Sequence, residues 1–222
     1  MDIEKMIKDR TKYKRDATIG EKILSASDIG NDSWMVALKI KYGVIEKDID
    51  QTTIGTLLHI GLETIFTPPE RKERKFNDWT ITGLADYIDE KESIVYDFKL
   101  TKSYTGKKIK ERLNSHHYTV QLNVYRWLYR VKNMKLMMFY KDGGYDYRKD
   151  RDIPQFEIID IPIIDIEAII NGKIKMIERY MKEEIGRCEE LYERGDKPIR
   201  CIKYCSVNEF CPYYKKYIAL RS

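Results

Sequence analysis

Helix-period and strand-period apolar patterns alternate along this chain in the order helix, strand, strand, helix, strand, strand, helix. That order admits few architectures. Ser27 and Asp28 stand where they could cap a first helix running through Trp34, Leu38 and Ile40. Ile54, Leu57, Leu58, Leu62 and Ile65 give residues 51–66 a helical period, and Pro68-Pro69 stops it. Residues 79–88 and 93–100 are rich in β-branched and aromatic side chains and read as a hairpin. A basic, polar stretch follows over 101–113, then a helix over 115–131 and strands over 135–140 and 156–161. Pro162 suits the first turn of a long helix that ends near Arg194 and is closed by Gly195. The expectation is an α/β fold, a central mixed β-sheet flanked by helices. Residues 1–24 read as an N-terminal arm, 25–195 as the core and 196–222 as a cysteine-rich appendage.

Apolar residues make up 42% of the 222, enough for a core, so global disorder is excluded. A net charge of +5 permits a polyanionic partner without requiring one. No run approaches the roughly 20 apolar residues of a membrane span, and the first residues, MDIEKMIKDRTKYKRD, lack the apolar stretch of a secretory signal. The expected setting is therefore cytoplasmic, in a host cell if the chain is viral, with no membrane partner.

The chemistry-bearing residues begin on the strand 93–100. Asp97 and Lys99 are two apart and share a face, whereas Phe98 points the other way, into the core. Asp86 lies on the preceding strand, and hairpin pairing can set it beside Asp97. Two converging carboxylates repel unless a cation sits between them, and their oxygens suit Mg²⁺ or Mn²⁺. An ammonium there could orient a metal-bound water or stabilise developing phosphorane charge. Alone, an Asp-x-Lys pair is usually a solvated ion pair. His59 sits mid-helix, four residues before Glu63, itself either a partner for the imidazole or a solvated residue. Gln121 and Tyr125, four apart, share a face of the next helix.

The ordered set Gly55-x3-His59, Gly83-x2-Asp86, Asp97-Phe98-Lys99 and Gln121-x3-Tyr125, followed by clustered cysteines, resembles the PD-(D/E)xK nuclease superfamily. It is most similar to the RecB-like branch of the CRISPR-associated iron–sulfur exonucleases and the AddB nuclease domain. The resemblance spans residues 25–215 and implies a restriction-endonuclease-like core. It also implies that His59, Asp86, Asp97 and the Phe98 backbone carbonyl are metal ligands. Lys99 corresponds to the catalytic lysine, acting with Asp86 and Asp97, while Gln121 and Tyr125 support the site and contact DNA.

All four cysteines fall in the last 35 residues, spaced Cys188-x12-Cys201-x3-Cys205-x5-Cys211. In a reducing compartment this suggests a metal site, either zinc or an iron–sulfur cluster. The resemblance implies a structural 4Fe–4S cluster, with zinc as the alternative. The sequence departs from the family in two respects. Residues 31–35 lack the expected N-terminal cysteine, and three residues rather than two separate Cys201 from Cys205. Cys188 is then the expected fourth ligand.

Lys102, Lys107, Lys108 and Lys110, interleaved with Tyr104 and followed by His116, His117 and Tyr118, are candidate DNA contacts. The expectation is a divalent-metal-dependent DNA nuclease (a hydrolase of phosphodiester bonds), an exonuclease on single-stranded DNA or free ends in repair, recombination or CRISPR-type spacer processing. There is no Walker A sequence, so any unwinding requires a helicase, and an integrase-type protein is the other expected partner. The competing reading is a non-catalytic nucleic-acid-binding or assembly subunit with a metal-stapled tail.

Overall fold

A computed structural model describes residues 19–44, 50–146, 150–182, 186, 188, 193–194 and 197–220. Most of the expected N-terminal arm lies outside the described residues. Strand β1 (Ile23–Ser25) leads into two short helices, α1 (Ala26–Gly30) and α2 (Ser33–Tyr42). These replace the single first helix expected. Ser25, not Ser27, caps α1, its Oγ accepting from the Asp28 N–H at 3.1 Å. Asp32 caps α2 by accepting from the Trp34 and Met35 N–H groups. Helix α3 (Asp50–Glu63) carries His59.

The strand expected over 79–88 is broken, and the break positions the site. Strand β3 (Trp79–Gly83) pairs in parallel with β1 and antiparallel with β2 (Lys72–Phe76). The chain then crosses to a four-stranded sheet ordered β4 (Tyr87–Asp89), β5 (Ile94–Thr101), β6 (Asn133–Tyr140), β9 (Phe156–Asp160). Only β4 and β5 form the hairpin. The β5–β6 pair is parallel and β6–β9 antiparallel, so the sheet is mixed as expected.

Helix α4 (Ser103–Glu111) occupies the stretch expected to be irregular. Lys102, at its N-cap, supplies no side-chain hydrogen bond. Asp142 does so from the turn after β6, accepting from the Ser103 N–H at 2.8 Å. Helix α5 (His117–Tyr129) links this region to β6. Strands β7 (Gly144–Asp146) and β8 (Arg151–Ile153) form a separate hairpin.

Helix α6 (Ile166–Met181) is shorter than expected. Pro162 precedes it, and Asp165 caps it by accepting from the Ala168 N–H. A Cβ on Gly186 would lie 2.7 Å from the Tyr180 ring and 2.9 Å from Trp34, so only glycine allows that approach. Residues expected to end the helix instead form β10 (Glu193–Arg194), paired with β11 (Lys197–Pro198). Gly195 lies outside the described residues. The tail closes through short turns and helix α7 (Pro212–Ala219).

The main core lies where α5 and α6 cover the sheets. It includes Leu24, Ile81, Val95, Leu122, Leu136, Met138 and Ile170, all essentially inaccessible. Val95 shares the strand face of Asp97 and Lys99, so those charged residues point toward the core-covering helices. Phe98 points the other way and is buried, as expected, but the main core lies on the face of Asp97 and Lys99. The Phe98 ring is buried on the opposite face, against Phe66 and Phe139 and outside the main core.

Candidate active site

The site forms where β4 leaves the ladder of β5. Tyr87 pairs with Tyr96, so Asp86 arrives opposite Asp97, one step beyond the last rung. The Asp86 carboxylate then takes the place of a strand. Its Oδ2 accepts from the Phe98 N–H at 2.6 Å. In a strand the N–H and C=O of one residue point the same way, so the Phe98 carbonyl turns toward this gap. The other Asp86 oxygen lies 3.1 Å from His59 Nδ1. That hydrogen bond raises the imidazole above its ordinary pKa, against the opposing effect of burial.

Asp97 is only 2% exposed. Its Oδ1 accepts from Gln121 Nε2 at 3.2 Å, and the same amide nitrogen reaches the Tyr125 hydroxyl at 2.9 Å. Its Oδ2 faces the Lys99 ammonium at 2.7 Å but is buried without an aligned hydrogen bond. Burial pushes the carboxyl up to about 6, with Asp86 adding to the shift and Lys99 opposing it. Burial alone would lower the Lys99 pKa, but the two carboxylates outweigh it and keep the ammonium charged. Two carboxylates against one ammonium leave a net negative charge whenever His59 is neutral.

These residues thus form one constellation, with His59, Asp86 and the Phe98 backbone on one side and Asp97, Lys99, Gln121 and Tyr125 on the other. His59, Asp86 and Phe98 line a cleft of about 50 Å³. Glu63 lines it too, but the partner of His59 is Asp86. Among the described residues no three His, Cys, Asp or Glu side chains converge as ligands of one ion. The donor set nevertheless fits a hard divalent cation: two carboxylates, a carbonyl turned to the gap, and a buried carboxylate oxygen without an aligned hydrogen bond.

One support escaped the sequence reading. Tyr129 continues the stripe begun by Gln121 and Tyr125 at spacings of four, which could have revealed it. Its hydroxyl accepts from the Ala85 N–H at 3.3 Å and reaches the carbonyls of Glu70 (2.8 Å) and Gly83 (3.2 Å), pinning the segment that carries Asp86. Gly83 lets this helix approach, since a Cβ there would lie 2.8 Å from Leu128 and 2.9 Å from Tyr125.

The basic residues after β5 have mixed surroundings. Lys102, Lys107 and Lys108 are exposed, and Lys108 lies 4.7 Å from the Tyr104 ring centroid. Lys107 pairs with Glu111 at 4.0 Å. Lys110 is drawn to Glu157 at 2.7 Å, and Glu157 also accepts from the Tyr140 hydroxyl.

Three of the cysteines belong to a different apolar cluster from the main core. Cys201, Cys205 and Cys211 are buried and Cys188 is half-buried, and none of the four forms a disulfide among the described residues. Cys205, Cys211 and Cys188 pack with Trp34, Met35 and Leu38 in a second apolar cluster. The Trp34 indole N–H donates to Cys211 Sγ at 3.4 Å. Burial pushes the Cys188 thiol up, with Asp32 adding to the shift.

Among the described residues no helix is long and apolar enough to cross a membrane. No curated protein matches the chain. Similar solved structures include SSO0001, at 21% identity and a TM-score of 0.64 over 96% of both chains. A phage-related exonuclease from Haemophilus somnus 129PT is 14% identical, with a TM-score of 0.49 over 68% of this chain and 79% of its own. An alkaline exonuclease from Laribacter hongkongensis is also 14% identical, with a TM-score of 0.46 over 81% of this chain and 94% of its own. Divalent metals such as Mg²⁺ generally serve nucleases of the PD-(D/E)XK superfamily, whose family model matches residues 60–212. That match covers the break in the first sheet, the Asp97–Lys99 strand and the helix behind it, and with the mixed α/β architecture it establishes that this chain belongs to the PD-(D/E)XK nuclease superfamily.

Proposed function

We propose that the protein is a divalent-metal-dependent deoxyribonuclease, acting as an exonuclease on single-stranded DNA ends. The observation that carries this reading is the Asp97–Lys99 ion pair, buried beneath α5 and held beside Asp86 at an open sheet edge. A charge pair serving only solubility would lie in water. Burying carboxylates costs free energy unless they are paired or hold a cation.

In this reading Asp86, Asp97, His59 and the Phe98 carbonyl would hold Mg²⁺ or Mn²⁺. The ion, when bound, neutralises phosphate charge and lowers the pKa of water. Lys99 orients the attacking water and adds positive charge where the pentacovalent state becomes most negative. Gln121 fixes the Asp97 carboxylate, and Tyr125 fixes Gln121. The exposed Lys102, Lys107 and Lys108 follow the strand's phosphates, with Lys110 joining them when released from Glu157. DNA repair, recombination or spacer processing would each supply such ends, and a helicase or integrase-type protein would be the partner that presents them.

The test is digestion of end-labelled single-stranded and duplex DNA with Mg²⁺, Mn²⁺ or EDTA. Metal-dependent release of mononucleotides or short products from single strands is expected. DNA binding without cutting under every metal condition would favour the non-catalytic reading and overturn this one.

The second part of the proposal is a structural 4Fe–4S cluster on Cys188, Cys201, Cys205 and Cys211, with zinc as the alternative. It is supported by the shared cluster of Cys188, Cys205 and Cys211, with buried Cys201 four residues before Cys205. Anaerobically purified protein is expected to be brown and to contain iron and sulfide. Colourless protein containing zinc alone would transfer the site to zinc.

A further inference from the structure

The first turn of α5 places Tyr118 three residues before Gln121 and seven before Tyr125, on one helix face. Gln121 grips Asp97 from this face. Tyr118 meets the other half of the pair, its ring centroid lying 5.2 Å from Lys99 Nζ. The ring is held in place. The His116 and His117 ring centroids lie 4.7 Å and 4.2 Å away, and the Tyr118 N–H donates to His116 Nδ1 at 3.2 Å. The neighbouring His117 does not compete as a cation, because burial, with His116, Lys99 and Arg200 adding to the effect, pushes its imidazole down to about 3.

An aromatic face attracts an ammonium through its quadrupole and replaces part of its water shell without offering a hydrogen-bond acceptor. The donors of Lys99 therefore remain free for Asp97 and for a water or phosphate oxygen, while the ring limits where the charge can move. Simple core packing would not require an aromatic residue here.

Resting on the nuclease reading above, we infer that Tyr118 is a positioning residue whose ring face holds the Lys99 ammonium against Asp97 and toward the scissile phosphate. It acts through Lys99 and does not touch the reacting atoms. The hydroxyl is dispensable and the ring is required.

The experiment compares Tyr118→Phe, Tyr118→Leu and Tyr118→Met in the full chain. A contact of this class corresponds to roughly 2- to 30-fold in rate. The leucine and methionine variants are expected to lose about tenfold in single-turnover rate with KM little changed. The phenylalanine variant is expected to stay within about twofold of wild type. In a Lys99→Ala background, Tyr118→Leu is expected to cause no further loss, because the group it acts through is gone.

An activity-independent readout is the Lys99 side-chain methylene resonance in metal-free protein. Ring current should shift it upfield in wild type and Tyr118→Phe, and the shift should vanish in Tyr118→Leu and Tyr118→Met. An unshifted wild-type resonance, full rates in both the leucine and methionine variants, or a phenylalanine variant as slow as leucine would each overturn the inference. If Lys99→Ala itself cuts at the wild-type rate, the nuclease assignment fails separately, and the resonance still decides whether the ring holds the ammonium.

Discussion

Replacing Lys99 by alanine is expected to reduce single-turnover DNA cleavage by about 10²–10³-fold or more, the scale on which a preorganised charge at a developing oxyanion acts. The reasoning starts from burial. The Lys99 side chain is only about one-fifth exposed (22%), its ammonium stands 2.7 Å from Asp97 Oδ2, and Asp97 and Asp86 keep it charged. A charge fixed in this way needs no reorganisation when the phosphate becomes more negative, so its loss falls on the transition state more than on substrate binding. DNA affinity should therefore change by less than about threefold, under 1 kcal/mol, since the exposed lysines of α4 remain. The variant should stay folded. Asp97 already leans toward its protonated form through burial, and removing the ammonium that opposes this shift lets it take up a proton instead of remaining as an unpaired buried charge. The measurement is a cleavage time course at saturating Mn²⁺ beside a binding titration in EDTA. Wild-type cutting by Lys99→Ala would refute the assignment of Lys99. Cutting and binding lost in equal measure would reassign it to DNA attachment.

The parts of this site visible in the sequence were those governed by short-range geometry. Strand alternation placed Asp97 and Lys99 on one face, and helical spacing placed Gln121 and Tyr125 on another, and the contacts between them follow those periods. What alternation could not provide was which face met the core. The strand 93–100 has Val95 on one face and Phe98 on the other, both buried, so composition could not choose between them. The choice was made by α5 and by Met134, Leu136 and Met138 on β6, which are remote in sequence. The break after Gly83 was hidden for a similar reason. Residues 79–82 and 87–88 are rich in strand formers, so the weak ones between them, Gly83, Ala85 and Asp86, read as interruptions within one strand, and two separate sheets divide it there. Asp86 owes its place to that division. The expected end of the last long helix failed because its helical composition continues past Met181, whereas Gly186 lies close against Trp34, a contact outside any local window.

Adding Mg²⁺ or Mn²⁺ to metal-free protein is expected to raise its melting temperature by about 5–10 °C when the ion is near a hundred times its dissociation constant. Preferential binding to the folded state contributes about 2.7 kcal/mol at that ratio, and a chain of this size gains about 2–4 °C per kcal/mol. The site explains why the ion should bind the folded state alone. Folding brings Asp86 and Asp97 to the same sheet edge, where their repulsion is only partly offset by Lys99 and by the His59 hydrogen bond. A divalent cation relieves that repulsion, and the unfolded chain has no such arrangement to offer. Asp97→Asn removes the carboxylate that is buried most deeply and should reduce the shift to within about 1 °C, with cleavage abolished in parallel. Asp142→Asn, at the cap of α4 and outside the site, should retain the full shift. EDTA should return wild type to its metal-free melting temperature. An equal shift in wild type and Asp97→Asn would show that the ion binds elsewhere and would remove Asp97 from the ligand set, whatever the cleavage assay reports.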